Sequence, residues 1–396
     1  MEARKIKGAE IAKSGGLRKK APHFWLVPSE STGGQWLVDY SDGEPTCTCP
    51  DYSKRAKFCK HIFAIEIHER RLTMPTATPP AEVKYTQDWS AYNAAQVNER
   101  DHVLQLLHGL CQGITMPPQT GRGRPKTPLA DVVFACAMKV YEGRSGRRVS
   151  SALRQCHEDG LTSKHVPYNT LSEYMRDPNL TPLLRTLLQE SAAPLAGIER
   201  TVAVDSTGFG TQTYDRWYDE KWGRDKKRRK FVKAHAACGT ESNICTDLVV
   251  NDRGDATQLE TLLNGTTKCF ELDEVSADKA YSSKKNLAAI HRAGAVPYIA
   301  FKDNTTAMNG PAIWKKMFHY FKYKEIDFLE HYHRRSNVET LFAMVKMKFG
   351  ANVRSRDSVA QVNEVYFKFL LHNLAVLVSA IYESGLVPEF WRQREA

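Results

Sequence analysis

Three acidic residues stand where a carboxylate could do chemistry. Asp205 ends the short apolar, β-prone run Thr201–Val204, and Asp278 ends a second such run, Glu274–Ala277. Glu339 lies in Tyr332–Lys346, whose spacing predicts a helix. A carboxylate at a strand end can face an open site while its strand stays buried. Oxygen donors from three separate elements suit Mg²⁺, which binds through a few carboxylates and keeps places for water and phosphate. Two such ions can stabilise both the attacking and the leaving oxygen at a phosphodiester. At about 100° per residue, Tyr332, Arg335, Glu339 and Lys346 fall within an arc of roughly 60°. Val338, Leu341, Phe342, Val345 and Phe349 occupy a neighbouring arc of roughly 100°, suited to core contact. One face can pack while the next presents a carboxylate beside two cations and a phenol. The same pattern also fits a solvated helix with an Arg335–Glu339 ion pair.

A second constellation lies near the N-terminus. Cys47-Thr-Cys49 is followed by Cys59-Lys-His61, a Cys3His set with the ligand chemistry of a closed structural Zn²⁺ site. Pro45 and Pro50 mark a turn around the first pair, and the second pair opens a helix. Joining the pairs would staple a unit too small to hold itself by burial alone. Cys111, Cys136, Cys156, Cys238, Cys245 and Cys269 have no ligand spacing and read as core residues.

Tyr332, Arg335, Glu339 and Lys346 match the Y-(2)-R-(3)-E-(6)-K signature of bacterial insertion-sequence transposases with a DDE catalytic domain. Asp205 in Asp-Ser-Thr and Asp278 in Ala-Asp-Lys-Ala-Tyr resemble the first two acidic motifs of that family. The resemblance spans about residues 120–380. It implies a ribonuclease-H-like α/β fold with a mixed sheet, and Asp205, Asp278 and Glu339 holding Mg²⁺ or Mn²⁺. It also implies cleavage of double-stranded DNA at element ends, strand transfer into target DNA, and a homodimer in a paired-end complex. Arg335 and Lys346 would hold phosphates, with Tyr332 beside the backbone. Only 61 positions separate Asp278 from Glu339, which disfavours a large β insertion and leaves a helical stretch around Pro311–Tyr323. The four N-terminal ligands, with the Cys-Pro and Cys-Lys-His-Ile flanks, resemble the SWIM zinc finger over about residues 8–70. That family's role is DNA binding or protein–protein contact; in other transposase groups the finger commonly follows the catalytic domain. Two alternatives stay open: an inactive, transposase-derived DNA-binding or regulatory protein, and a stand-alone DNA nuclease.

The elements that must position these residues fall into segments. Residues 1–71 form the zinc-stapled unit, 72–127 a linker and helix, and 128–198 a helical region. Residues 199–384 form the α/β catalytic domain, and 385–396 a tail. Strands are predicted at His23–Val27, Trp36–Tyr40, Lys230–Cys238, Ile244–Val250 and Val296–Phe301, with a hairpin turn at Gly239–Asn243. Lys226, Lys227, Arg228, Arg229 and Lys230, downstream of Trp217 and Trp222, can bind phosphates or form a solvated loop. Lys233 and His235 follow, the latter equally readable as a core histidine. Gly121–Lys126 reads as a basic linker, with some likeness to a minor-groove hook. Arg144, Arg147, Arg148 and Arg154 are candidate DNA contacts of a helix-turn-helix, although no turn signature selects a recognition helix.

Composition sets the background. The chain has 396 residues and a net charge of +11, which favours polyanion partners. The basic, polar N-terminus lacks an apolar signal region, and the stretch Val365–Tyr382 is broken by Lys368, His372 and Asn373 and falls short of a membrane span. Nine cysteines without scaffold spacing fit a reducing compartment. The expected location is the bacterial cytoplasm, at the nucleoid.

Overall fold

The computed structural model describes residues 2–29, 33–41, 43–55, 58–73, 88–115, 126–211, 221, 231–302, 304–308 and 310–391. The chain divides into two compact units, Met1–Thr86 and Gln87–Ala396.

The first unit runs α1 (Glu2–Lys13), β1 (Arg18–Ala21), β2 (Phe24–Pro28), β3 (Gln35–Asp39), β4 (Thr46–Cys47), α2 (Pro50–Arg55) and α3 (Lys60–Thr73). Its strands form one antiparallel sheet in chain order. Period-two alternation turns Trp25, Val27 and Val38 inward, onto Ile62 and Ile65 of α3. Register places Val38 opposite Cys47, so the sheet delivers the first thiol into this core. The helix α1 has no counterpart in the periodicity of Met1–Lys20. Its packing rests on a close approach: a Cβ at Gly8 would lie 2.8 Å from Phe63 Cβ and 2.9 Å from the Lys60 carbonyl oxygen.

The second unit opens with five helices: α4 (Trp89–Gln112), α5 (Leu129–Tyr141), α6 (Gly146–Glu158), α7 (Tyr168–Met175) and α8 (Leu180–Ala192). Residues 142–145 join α5 to α6, 159–167 join α6 to α7 and 176–179 join α7 to α8, so the first and last connections have the length of a helix-turn-helix turn. Then come β5 (Thr201–Gly210), β6 (Phe231–Gly239), β7 (Cys245–Val250), α9 (Asp255–Thr266), β8 (Glu274–Ala277), α10 (Lys284–Arg292) and β9 (Val296–Ile299). The chain ends with α11 (Ala312–Tyr323), α12 (Glu325–Tyr332), a 3₁₀ turn at His333–Arg335, α13 (Ser336–Phe349) and α14 (Ser358–Ser384).

The sheet order is β7-β6-β5-β8-β9. β5, β6 and β7 form an antiparallel meander, while β8 and β9 run parallel to β5. This mixed sheet with covering helices is the expected α/β class with a mixed sheet. β5 does not stop at Asp205. It continues to Gly210 because β6 pairs with it throughout, satisfying the backbone of a polar segment that carries no apolar signal. At Gly210 the backbone meets Asn352, whose Oδ1 would lie 2.2 Å from an added Cβ.

One apolar core runs from Ala95 on α4 to Val378 on α14. The 27-residue α14 is long and apolar enough to cross a membrane, but 78% of its most apolar window is buried inside the protein. Its polar interruptions are bonded in place. Lys368 Nζ donates to the Gly350 and Asn352 carbonyls at 2.9 and 2.7 Å. His372 Nε2 lies 2.9 Å from the Asn243 carbonyl oxygen, and Asn373 Nδ2 donates to the Cys245 carbonyl at 2.8 Å.

Candidate active site and zinc centre

Strand register brings the first two carboxylates level. Val204 of β5 pairs in parallel with Ala277 of β8, so Asp205 and Asp278, one residue further along each chain, emerge side by side. α13 lies across β5 and β6 on its Val338, Leu341, Phe342 and Val345 face. Glu339, in its first turn, is exposed. Arg335 joins the elements: its Nη1 lies 2.8 Å from Glu339 Oε1 and 3.4 Å from Asp205 Oδ2. The i,i+4 pair that also suits a solvated helix therefore exists, but its arginine reaches across to the sheet. At the far end of α13, Lys346 Nζ donates to Thr207 Oγ1 at 2.6 Å and stands over the Phe209 ring.

Tyr332, Arg335, Glu339 and Lys346 do not share one regular helix. Tyr332 closes α12, and the 3₁₀ turn intervenes before α13. The backbone stays in the right-handed helical region throughout, tightened for one turn. The Tyr332 ring packs on the core and carries Arg335 as an electrostatic neighbour.

Electrostatics show how crowded the acidic groups are. Burial raises the Asp205 carboxyl above its ordinary range. The Ser206 amide and Arg335 pull it down, while Asp278 and Glu339 push it further up as like charges. Burial opposes the charge on Arg335, but Tyr332, Glu339, Asp278 and Asp205 outweigh it and hold the guanidinium charged. Burial alone lowers the Lys346 amine.

A second polar cluster adjoins Asp205. Register sets Ser206 opposite His235 and Gly208 opposite Lys233. Asp255, first residue of α9, lies 2.7 Å from Lys233 Nζ and 3.3 Å from His235 Nδ1. Burial opposes the Asp255 charge, yet Lys233 and Ser206 keep its carboxyl below the usual range. His235 is fully buried, and burial followed by Lys233 lowers its pKa. Tyr281 is buried among Asp205, Asp255 and Asp278, with its hydroxyl lacking a hydrogen-bond partner among the described residues. Asp255, Thr207 and Tyr281 were missed as site neighbours from sequence. The Asp-Lys-Ala-Tyr run held the only hint, for Tyr281.

In the first unit, Cys47, Cys49, Cys59 and His61 are all buried, with ligand atoms within 4.8 Å of one another. His61 Nδ1 lies 3.8 Å from Cys47 Sγ and 3.9 Å from Cys59 Sγ. Three sulfurs and one imidazole nitrogen enclosed in this way fit a tetrahedral Zn²⁺ with no open position. Hydrogen bonding between Cys47 and Cys59 holds the Cys59 thiol low and pushes the Cys47 thiol up, and burial raises Cys49. Of the other cysteines, Cys111, Cys136, Cys156, Cys238 and Cys245 are buried and Cys269 is half-buried. The carboxylates are more open. Among the described residues, no other group brings three such donors as close together.

Lys226, Lys227, Arg228, Arg229 and Lys230, with Trp217 and Trp222, lie outside the described residues, as does most of Gly121–Lys126. Arg144, Arg147, Arg148 and Arg154 are exposed. Arg144 pairs with Glu142 at 3.7 Å, and Arg147 stands over the Tyr168 ring.

Residues 196–374 match the transposase DDE domain family, and residues 36–69 match the SWIM zinc finger. The chain carries a transposase DDE domain behind a SWIM finger. Asp205, Asp278 and Glu339 all fall within the DDE segment, and the four zinc-type ligands within the SWIM segment. The chain is also similar to a piggyBac transposase solved by cryo-EM as a synaptic complex with hairpin DNA. That similarity has 10% identity and a TM-score of 0.30, and covers 74% of this chain and 80% of that one. No curated protein matches the sequence.

Proposed function

We propose that this transposase is an active, metal-dependent enzyme of the bacterial insertion-sequence type. It cleaves double-stranded DNA at the ends of an element and joins them to target DNA in the cytoplasm, at the nucleoid. The observation that carries this reading is the β5/β8 register, which sets Asp205 beside Asp278 while Arg335 links Asp205 to Glu339. Three hard oxygen donors, with Asp278 and Glu339 acting as like charges on a half-buried Asp205, suit a divalent cation such as Mg²⁺ or Mn²⁺. Asp205, Asp278 and Glu339 would hold it. Such an ion supplies Lewis acidity at a phosphodiester.

The remaining roles belong to the chain itself. Arg335 and Lys346 present charge to phosphate oxygens, and Tyr332 packs beside the sugar–phosphate backbone. Hydrolysis at an element end leaves a 3′-hydroxyl, whose oxygen then attacks a target phosphodiester. One P–O bond forms there as another breaks. Joining two ends in one event calls for two copies of the chain in a paired-end complex. The SWIM finger supplies a zinc-held surface for DNA or protein.

The test uses a labelled duplex carrying the element end, with target plasmid and Mg²⁺. Wild-type protein gives joined product, and Asp278→Ala abolishes cleavage while end binding persists. Undiminished cleavage by Asp278→Ala refutes the assignment. Nicking without joining shows a stand-alone nuclease, and binding without either shows an inactive derivative.

A further inference from the structure

The segment between Asp278 and Glu339 carries a surface that none of these roles uses. Its helical pair is anchored firmly. Phe301 packs edge-on against Trp314 at 4.9 Å, Phe328 meets Phe321 at 5.1 Å, and Tyr298 stacks on His331 at 4.4 Å. Ile313, Trp314 and Met317 face this core. The opposite face of α11 therefore points to solvent as a rigid platform.

That outer face is cationic and aromatic. Lys315, Lys316, His319, Lys322 and Tyr323 recur at helical spacing and are all exposed, with Lys324 at the corner. The His319 and Tyr323 rings stack at 5.8 Å and 15°, and Tyr323 is 82% exposed. Ile326, just past the corner, is 81% exposed. Lys315, Lys316, Lys322 and Lys324 pair with no carboxylate among the described residues. The acidic side chains nearby, Glu325, Asp327 and Glu330, lie on α12, with Asp327 accepting from the Tyr320 hydroxyl at 3.0 Å. The positive charge is thus confined to α11 and the corner.

We infer that this face of α11 is a DNA-backbone surface, with Lys315, Lys316 and Lys324 on phosphates and the stacked His319–Tyr323 pair as a flat ledge against the sugar edge. From Lys315 to Lys322 the stripe is about 10 Å long at 1.5 Å per residue. That spans about three phosphates of one strand at 3.4 Å each along the duplex axis. Charge complementarity selects a polyanion. That the polyanion is DNA rests on the transposase reading, because α12 leads from this corner directly to Tyr332 and the Glu339 helix.

The experiment measures binding of the full-length chain to a short random-sequence duplex between about 50 and 200 mM salt. The triple variant K315Q/K316Q/K324Q should lower the slope of log K against log salt by about 1 per lysine, about 3 in all. K315R/K316R/K324R should restore it. Tyr323→Ala should weaken binding with the slope unchanged, because it removes no charge. Circular dichroism and an unchanged melting midpoint show that the variants fold, as expected for exposed substitutions. A wild-type slope in the folded glutamine variant, or failure of the arginine variant to restore it, overturns this surface while leaving the transposase reading standing. Loss of self-association with DNA binding intact would make the face a contact between copies and also overturns it. A wild-type protein without salt-dependent DNA binding overturns both readings.

Discussion

Asp205 shows the cost that a cluster of carboxylates imposes on its own fold. Its carboxyl is raised by burial and by two neighbouring carboxylates, so the charged form is disfavoured in the folded state. For an acid with a raised folded pKa, stability is fullest below the unfolded pKa and is lost as pH rises through the folded one. Removing the charge should therefore stabilise the protein at neutral pH. Asp205→Asn is expected to raise the melting midpoint of the DDE unit by a few degrees at pH 7 while abolishing strand cleavage. A lowered midpoint would show that the Arg335 contact outweighs the repulsion. Asp205 and Asp278 were legible as candidates because each ends an apolar, β-prone run, and Tyr332, Arg335, Glu339 and Lys346 because of their mutual spacing. Thr207 and Asp255 were not, because Lys346 and Lys233 reach them across strand and helix boundaries that no local spacing encodes.

At the scale of elements, the two metal-type sites differ in how they depend on their surroundings. The Cys47, Cys49, Cys59 and His61 cluster draws one thiol from β4 and opens into α3, and it forms part of the core of the first unit. Structural zinc in comparable sites contributes about 10–16 kcal/mol of apparent binding energy, more than a unit of this size gains by burial. Chelation, or Cys59→Ser, should make residues 2–73 susceptible to proteolysis while the melting transition of the second unit stays in place. Zinc near zero in purified protein with this segment intact would refute the site. The elements that carry Asp205 and Asp278 rely instead on the sheet ladder. Strands β6, β7 and β8 follow the predicted runs closely. β5 runs past its apolar signal because pairing with β6 extends it, and a 3₁₀ turn at His333–Arg335, whose Arg335 reaches Asp205, interrupts the Tyr332–Lys346 helix.

Across the second unit, α14 packs against α4, α5, α8 and β7. His372, buried on it beside the Asn243 carbonyl, is held down to about pKa 4 by burial. Its ordinary value is near 6.5, so at mildly acidic pH the unfolded chain binds the extra proton. Stability is full above about pH 6.5 and is lost progressively towards pH 4, by roughly 3 kcal/mol at most. The urea midpoint of the wild type should fall across that window, and His372→Gln should flatten the profile. An equally steep profile in the variant would remove His372 as the cause. The sequence alone determined the chemical inventory: three carboxylates on predictable elements, a zinc-type ligand set and a basic surplus, because residue type and local spacing encode these directly. Only the tertiary structure decided which groups meet. The β5/β8 register levels Asp205 with Asp278, Arg335 spans helix and sheet, and a single core binds the helical region to the five-stranded sheet. Those contacts join residues far apart in the chain, and packing and strand pairing, not local periodicity, select them.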